Sequence, residues 1–277
     1  MGLRINTNVT SLAAQRTLGV NNADQSATLG KLSSGTRIVR SADDAAGLAI
    51  SEKLKASIRS TNQAERNAND GVSLIQTAEG GLTEVGNILV RLRELSIQSA
   101  SDTVGDPERQ FTNLEYQNLK QEVERISEVT EFNGKKLLNG SGEQYDFQIG
   151  VNNDDFQDRI KYNTANQNST IASLGLESLA VDSKVGAQEG LAALDSAIQS
   201  VSGQRAELGA LQNRLGSTIQ NLQVSSENLS AANSRIRDTD YAAETAKNTK
   251  LNILTNAGTS VLAQSNAQGQ AALKLIG

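Results

Sequence analysis

Two carboxylates and a phenol lie close together near the carboxyl end of the chain, at Asp238, Asp240 and Tyr241. A carboxylate pair can bind a hard cation, but Ca²⁺ takes about six to eight oxygen ligands. No further ligands cluster nearby in the sequence, so hydrogen bonding to solvent or to another chain is the favoured role. We therefore predict no metal site.

The chain has no cysteine and no histidine among its 277 residues. The absence of cysteine excludes disulfides, thiolate nucleophiles and thiolate metal sites. The absence of histidine removes the usual general base at neutral pH and the commonest metal ligand. Carboxylate or lysine chemistry stays open, but no motif favours it. We predict that the protein is not an enzyme and needs no cofactor.

The formal net charge is −5, and no lysine and arginine cluster forms a basic stripe. Nucleic-acid binding is disfavoured, because phosphate contacts need concentrated positive charge. No run of about 18 apolar residues is present, so no membrane span is predicted. The first residues also lack a basic region followed by an apolar block, which predicts no cleaved signal peptide. These features alone would indicate a cytoplasmic protein.

Long helices must position whatever the chain uses for function. Aromatic residues are only 3% of the sequence and Pro107 is the single proline, a composition that suits helical bundles. A first helix is predicted from Ala45 to Ala100, after the capping-type residues Ser41–Asp44. Its apolar stripe steps by threes, fours and sevens: Ala68, Val72, Ile75, Leu82, Val85, Leu89, Leu92 and Leu95.

Two further helices complete the predicted bundle. After a turn at Ser101–Asp106, the second begins near Pro107, with the stripe Leu114, Leu119, Val123, Ile126 and Val129. The third carries a stripe from Leu191 to Ile236. Between them, alternation over residues 144–163 predicts a β-hairpin. The fold class is therefore mainly α: an elongated antiparallel helical bundle closed by N- and C-terminal helices, with one β-hairpin.

The two chain ends, residues 1–40 and 238–277, have thin apolar stripes among many small polar residues. Each stripe alone buries too little area to offset the chain entropy. We expect two tails that are disordered in the monomer and become helical on packing against partners. The residues expected to drive this self-assembly are Leu3, Ile5, Val9, Leu12, Ile253, Leu254, Val261 and Leu262.

Several blocks, in order along the chain, resemble bacterial flagellin. They cover both terminal thirds, and their number and shared order make the resemblance specific. The blocks include LSSGTRI at Leu32–Ile38, DDAAGLAI at Asp43–Ile50, ERNANDGVSLIQTAEGGL at Glu65–Leu82, RLRELSIQSA at Arg91–Ala100, FNGKKLL at Phe132–Leu138, LGALQNRL at Leu208–Leu215, SRIRDTDYAAE at Ser234–Glu244 and AGTSVLAQSNAQ at Ala257–Gln268.

The resemblance implies a rod domain over residues 41–237 and an axial domain formed by the tails. Only about 45 residues stand where flagellins usually insert outer domains, which implies the minimal type without them. It also implies a subunit that is exported unfolded by the flagellar type III machinery and polymerises into the extracellular filament. Implied partners are copies of itself, an export chaperone, and the flagellar cap and junction proteins.

The resemblance also assigns roles to individual residues. Arg91, Leu95 and Glu115 match positions at the contact with the vertebrate Toll-like receptor for flagellin, although packing between subunits is the favoured role. Asp238, Asp240 and Tyr241 match the junction between rod and axial helices. The hairpin between residues 147 and 162 matches the surface expected to switch when the filament supercoils.

Three alternatives remain at this point. A hook–filament junction protein shares flagellin-like termini, but the dense match over residues 65–100 and 257–268 favours a filament flagellin. A zinc protease, which some flagellins carry, needs a His-Glu-x-x-His pair, and the chain has no histidine. A generic coiled-coil adaptor would have stably folded ends.

Overall fold

The structure, a computed structural model, describes residues 7–274, with side chains through residue 267. Helices and two small antiparallel sheets make up this described part. The helices are α1 (Val9–Ser34), α2 (Ala45–Ser99), α3 (Asp106–Val129), α4 (Lys184–Arg237) and α5 (Tyr241–Lys274). The strands are β1 (Glu131–Phe132), β2 (Lys135–Lys136), β3 (Gln144–Gln148) and β4 (Arg159–Asn163), and a 3₁₀ turn follows at Thr164–Asn166. The predicted mainly α class is confirmed.

The ends of α2 and α3 follow the local signals in the sequence. Asp44 Oδ1 accepts a hydrogen bond from the backbone N–H of Gly47 at 2.8 Å and so caps the start of α2. Helix α3 begins one residue before Pro107, which stands in its first turn. The predicted boundaries of the first two helices are therefore confirmed to within a residue or two.

The predicted hairpin forms from β3 and β4, with Tyr145 opposite Tyr162 and Phe147 opposite Ile160. A second, smaller hairpin of β1 and β2 was not predicted. Its turn is Asn133-Gly134, where both residues have positive φ, 52° and 75°. Two left-handed turn residues match the twist of a tight hairpin, so the Asn-Gly signal ends α3 and also starts this pair of strands.

The chain divides into two compact units, and residues 57–227 form the larger one, here called the core unit. Its interior is built from the predicted stripe of α2, the stripe of α4 and the strands. Fully buried members include Ile75, Leu82, Val85, Leu89, Leu92, Leu194, Leu208, Leu215 and Ile160. Large aliphatic side chains at a spacing of three and four therefore supply the interior, as the sequence predicted.

The stripe predicted for α3 was partly wrong. Leu114 and Val129 are exposed, whereas Tyr116 and Val123 face the interior together with Lys120. Lys120 Nζ is buried and donates to the carbonyls of Glu177 and Leu179 at 2.9 and 3.0 Å. Burial disfavours the charged amine and lowers the pKa of Lys120. The interior face of α3 thus mixes aromatic and basic residues, which apolar periodicity alone does not reveal.

The stretch after β4 has no regular apolar period in the sequence, but part of it packs into the core unit. Leu174, Leu176 and Val181 are buried in the same interior as α2 and α4. Ser169 donates from its hydroxyl to Gln204 Oε1 at 2.8 Å, and Gln204 Nε2 donates to the carbonyl of Asn168 at 3.0 Å. Turn-rich segments carry no regular period, so their apolar residues give no signal for packing.

One glycine of α2 is required by close packing. A Cβ built on Gly81 would lie 2.7 Å from both Leu138 Cδ1 and Thr130 Oγ1. The segment after α3 therefore crosses α2 at a distance that only glycine permits. A glycine inside a helix costs about 1 kcal/mol relative to alanine, and here it permits the segment after α3 to approach α2 closely.

The second unit, here called the terminal unit, comprises Met1–Ala56 and Asn228–Gly277. Within its described residues, α1 and α5 run antiparallel. Thr10 Oγ1 lies 2.7 Å from Ser265 Oγ near one end of the pair, and Gln25 is hydrogen bonded to Asn252 near the other. Asn8 caps α1 by accepting from the N–H of Ser11 at 3.1 Å. Both tails thus form helices that pair with each other.

Candidate assembly surfaces

The faces of α1 and α5 that meet repeat at alternating steps of three and four, the spacing of a coiled coil. A Cβ on Gly258 would lie 3.2 Å from Leu18 Cδ1, which places both residues in this contact. We call it the terminal seam. It comprises Ser11, Ala14, Leu18, Asn21, Gln25 and Thr28 on α1, and Asn248, Leu251, Thr255, Gly258, Leu262 and Ser265 on α5.

The terminal seam consists mostly of small and polar residues. The buried residues of α1 are Ser11 and Thr28. Thr28 Oγ1, Asn248 Oδ1 and Thr255 Oγ1 are buried without a hydrogen-bond partner in the described chain. A buried polar atom without a partner costs about 1–3 kcal/mol, so this seam holds the two helices weakly.

Seven large apolar residues of the same helices point away from the seam and are exposed, whereas Leu18, Leu251 and Leu262 lie in the seam. We call the seven exposed residues the outward apolar set: Val9, Leu12, Val20 and Leu29 on α1, and Ile253, Leu254 and Val261 on α5. Five of the residues predicted for self-assembly belong to this set. Leu262 lies in the seam and is half-buried, while Leu3 and Ile5 lie outside the described residues. The prediction that they drive assembly stays a prediction.

The predicted junction residues lie at the short break between α4 and α5. The backbones of Thr36 and Asp238 form an antiparallel bridge, and Thr239 N–H donates to the Gly35 carbonyl at 3.0 Å. Asp240 Oδ1 accepts from two backbone N–H groups at 3.0 and 3.1 Å and caps α5. The Tyr241 side chain is exposed. Asp238 therefore serves the chain turn through its backbone, and the Asp240 carboxylate serves the helix start.

Arg91 and Glu115 form an ion pair on the surface of the core unit. Arg91 donates to Glu115 Oε1 at 2.9 and 3.0 Å, and to Glu94 Oε2 at 3.0 Å. The hydrogen bonds that Arg91 donates to Glu94 and then to Glu115 raise the pKa of Arg91 above its ordinary value. Exposed pairs of this kind contribute little to stability, so the charges are available for a partner.

The structure separates Leu95 from the pair with which it was grouped. Leu95 is only 2% exposed and belongs to the interior of the core unit, so it cannot contact a partner in this conformation. This corrects the prediction of a contact role for Leu95, because its place in the α2 stripe decides its position. The exposed apolar residues near the pair in the sequence are instead Val90, Ile97, Phe111 and Leu114.

Sequence reasoning missed two features of the β3–β4 hairpin. At its tip, Phe156 is 85% exposed, and Asp154 Oδ1 accepts from the N–H groups of Phe156 and Gln157 at 2.9 and 2.8 Å. At its other end, a cleft of about 300 Å³ lies between the hairpin and α4. Its lining residues are Lys161, Tyr162, Asn163, Gln167, Glu207, Leu208, Ala210, Leu211 and Arg214.

Two kinds of feature are absent from the described residues. Over residues 7–274, no three side chains of His, Cys, Asp or Glu gather closely enough to hold a metal ion. In the same part of the chain, no helix has the length and apolarity needed to cross a membrane.

Residues 5–143 match the family model for the bacterial flagellin N-terminal helical region, and residues 191–276 match the model for the C-terminal helical region. The chain belongs to the bacterial flagellin family. The resemblance found in the sequence blocks is thereby confirmed, and the two matches contain α1, α2, α3 and α5 with most of α4.

Curated relatives match over nearly their whole length. The chain is 44% identical to flagellin from Halalkalibacterium halodurans over 272 residues, covering 98% of this chain and 99% of the relative. It is 44% identical to the flagellar filament 30.7 kDa core protein of Treponema maltophilum, with the same coverage. It is 41% identical to flagellin from Bacillus subtilis, covering 99% and 100%. The predicted minimal form without outer domains fits these lengths.

Solved structures agree with the fold. The crystal structure of Bacillus cereus flagellin matches with 29% identity and a TM-score of 0.50, covering 61% of this chain and 94% of that one. A putative flagellar hook-associated protein from Vibrio parahaemolyticus has a TM-score of 0.59 but 13% identity, so it shows the fold alone. The relatives support a structural subunit of the filament and do not favour a hook–filament junction protein.

Proposed function

We propose that this chain is a structural subunit that polymerises into the bacterial flagellar filament through its paired terminal helices. The observation that carries the proposal is which residues α1 and α5 bury against each other and which they leave exposed. Polar and small residues fill their shared seam, while the outward apolar set faces away from it. Exposed large apolar residues on both helices offer a surface that neighbouring copies would cover.

The energetics favour assembly over folding of the isolated pair. Burying a leucine, isoleucine or valine side chain contributes about 1.5–3 kcal/mol, and the seam leaves all seven members of the outward apolar set exposed. The same seam carries buried polar atoms without partners. We therefore propose that the tails are disordered in the monomer, and that the paired helices are the form they take in the filament.

The proposed domains follow from the breaks between helices. Residues 1–40 and 238–277 form the axial domain, and residues 41–237 form the rod domain. In support, α1 ends at Ser34, α2 begins at Ala45, and α4 and α5 are separated at residues 238–240. Asp238, Asp240 and Tyr241 then mark the passage from one domain to the other.

Polymerisation from seeds tests this function directly. Purified chain is mixed with short filament seeds and followed by light scattering and negative-stain microscopy. Filaments should lengthen with the wild-type chain, and should not lengthen with a variant that carries serine at Leu12, Ile253 and Val261. A wild-type chain that stays monomeric at every concentration, with active seeds present, would refute the proposal.

The other partners follow from the family and complete the proposal. The chain would leave the cell unfolded through the type III export machinery, bound beforehand by an export chaperone, and would fold beneath the flagellar cap. The absence of cysteine supports this route, since no disulfide can form before export. Its final location would be the extracellular filament, in contact with junction proteins at the filament base.

A second proposed function is recognition by the vertebrate Toll-like receptor for flagellin. The exposed Arg91–Glu115 pair, with exposed Val90 and Leu114 next to it in the sequence, supports this surface. Monomer would be added to reporter cells that express the receptor, with Arg91→Ala as the test variant and Arg93→Ala as its control. Loss of response in the first variant alone is expected, and no response to wild type at micromolar protein would refute it.

A further inference from the structure

The hairpin tip, residues 151–157, is an ordered projection. Asp158 is buried and its carboxylate accepts from the N–H groups of Asn152 and Asp154 at 3.3 and 3.0 Å. Asp154 in turn accepts from Phe156 and Gln157 through Oδ1, while its Oδ2 has no partner among the described residues. A tip held by four backbone hydrogen bonds loses little entropy when it binds.

The tip presents a strongly exposed aromatic side chain near a negative charge. Phe156 is 85% exposed, so its ring does not enter the cleft of its own chain. Asp155 is already paired with Lys161 and Arg159, which leaves Asp154 as the carboxylate without a cation within the described residues. A partner for this tip therefore needs an apolar hollow next to a free positive charge.

The β4–α4 cleft has that chemistry. Leu208 is fully buried at its floor, and Leu211 and Ala210 line it from the same helix. Gln167 Nε2 donates to Glu207 Oε2 at 3.1 Å and fixes one wall. Arg214 lines the cleft and, within residues 7–274, makes no ion pair through its guanidinium. A volume of about 300 Å³ is at the lower end of the range for binding pockets and admits an aromatic side chain.

We propose that the hairpin tip of one copy binds in the β4–α4 cleft of a second copy. Phe156 would lie on the floor formed by Leu208 and Leu211, and Asp154 Oδ2 would pair with Arg214. The tip adjoins the start of β4 and the cleft adjoins its end, so the two surfaces differ and the contact is heterologous. Repeated heterologous contacts extend into an open polymer. This inference rests on the proposed function, because it names one contact of the filament.

Cysteine cross-linking tests the contact without side reactions at other thiols, since the chain has no native cysteine. Chains with Asp154→Cys and chains with Arg214→Cys are mixed, assembled on seeds and treated with a short bismaleimide. The expected product is a covalent dimer that contains one chain of each kind. The control is Arg205→Cys, an exposed arginine on α4 that lies roughly half a turn around the helix from Arg214.

Charge reversal provides the second measurement. Asp154→Lys and Arg214→Glu should each raise the critical concentration for polymerisation about tenfold, and the double exchange should restore it, as expected for a charge pair at a contact. Phe156→Ala should raise it by about tenfold or more. Arg205→Glu should leave it within about twofold, because exposed charges remote from a contact matter little.

The outcomes separate this contact from the function on which it rests. Wild-type filaments without the mixed cross-link, or charge reversals whose effects add in the double variant, would overturn the contact and leave the filament function standing. A cross-link within single chains that carry both cysteines at high dilution would also overturn it. A wild-type chain that never polymerises would overturn both.

Discussion

In helices α2 and α1, the residues that face a neighbouring helix have the same spacing of three and four. The two helices use this spacing for opposite purposes. The inward positions of α2 carry leucine, valine and isoleucine that are fully buried in the core unit. The inward positions of α1 are mostly small or polar, with Leu18 as the one large apolar residue, and its other valines and leucines are mostly exposed. Periodicity selects which side of a helix meets a neighbour, while residue type decides whether that meeting is stable without further partners.

This difference implies that the core unit and the terminal unit have different roles. The core unit buries its apolar area internally and should fold alone, since burial of that area is the main stabilising contribution. The terminal unit keeps its apolar area for other copies, and its internal seam is weak. A subunit built in this way can remain monomeric until its ends find neighbours, which suits assembly at a filament tip.

The largest expected effect is a cavity in the core unit. Leu89→Ala should lower the free energy of unfolding of the monomer by about 2–5 kcal/mol, because Leu89 is fully buried. Val90→Ala changes the adjacent, exposed residue and should stay within about 0.5 kcal/mol. Urea denaturation followed by circular dichroism measures both. Equal effects at the two positions would contradict the assignment of the α2 stripe.

The next effect concerns the outward apolar set. Leu12→Ser and Ile253→Ser should each raise the critical concentration for polymerisation about tenfold, because each removes an apolar side chain from a contact between copies. The unfolding free energy of the monomer should change by less than about 0.5 kcal/mol. Gln15→Ser on the same helix is the control for polymerisation. If monomer stability falls and polymerisation is unchanged, these residues pack within the chain.

Removing unpaired polar atoms from the terminal seam should make the α1–α5 pair more stable, and so reduce the difference in stability between the two units. Thr28→Val combined with Thr255→Val removes two buried hydroxyls that lack partners and should stabilise the α1–α5 pair by about 1–3 kcal/mol. Limited proteolysis of the monomer should then cut more slowly within α1 and α5. Thr17→Val is the control, because Thr17 is exposed and its hydroxyl donates to the Ala13 carbonyl. Equal protection by both changes would argue against a polar seam.

The smallest expected effect is a loss of stability of the core unit at alkaline pH. Burial, and then the hydrogen bond to Glu143, raise the pKa of Tyr145 to about 12. The neutral phenol is therefore favoured in the folded state, and its contribution is complete below the ordinary pKa of about 10. Stability should fall as the pH rises from about 10 to 12.

Tyr145→Phe should make that decline shallower and leave the dependence below pH 9 unchanged. Denaturation at a series of pH values measures it, and the difference in tyrosinate absorbance between wild type and the variant follows the ionisation of Tyr145 among the four tyrosines. An unchanged decline in the variant would show that another group is responsible.

Much of the fold was predictable because α2 and α4 obey one strong period. The hairpin of β3 and β4 followed from alternation, and the family followed from sequence blocks. The exposed position of Leu114, the buried position of Lys120 and the packing of residues 164–183 were not predictable, since each depends on tertiary neighbours and not on local pattern.

The candidate surfaces were predictable in their residues but not in their orientation. Val9, Leu12, Ile253 and Val261 were singled out as apolar, yet their sequence does not say whether they face the partner helix or solvent. The terminal seam was not predicted, because most of its heptad positions hold small or polar residues and so give no hydrophobic repeat. The cleft beside Arg214 was not predictable for a different reason, because it joins residues far apart in the chain.

Hydrogen exchange on monomer and on filaments, followed by mass spectrometry, compares the two units most directly. In the monomer, peptides from α2 and α4 within residues 57–227 should exchange slowly, and peptides from α1 and α5 should exchange nearly as fast as an unfolded chain. In filaments, the α1 and α5 peptides should become protected. Slow exchange of α1 and α5 in the dilute monomer would show that the pair is stable alone and would contradict folding coupled to assembly.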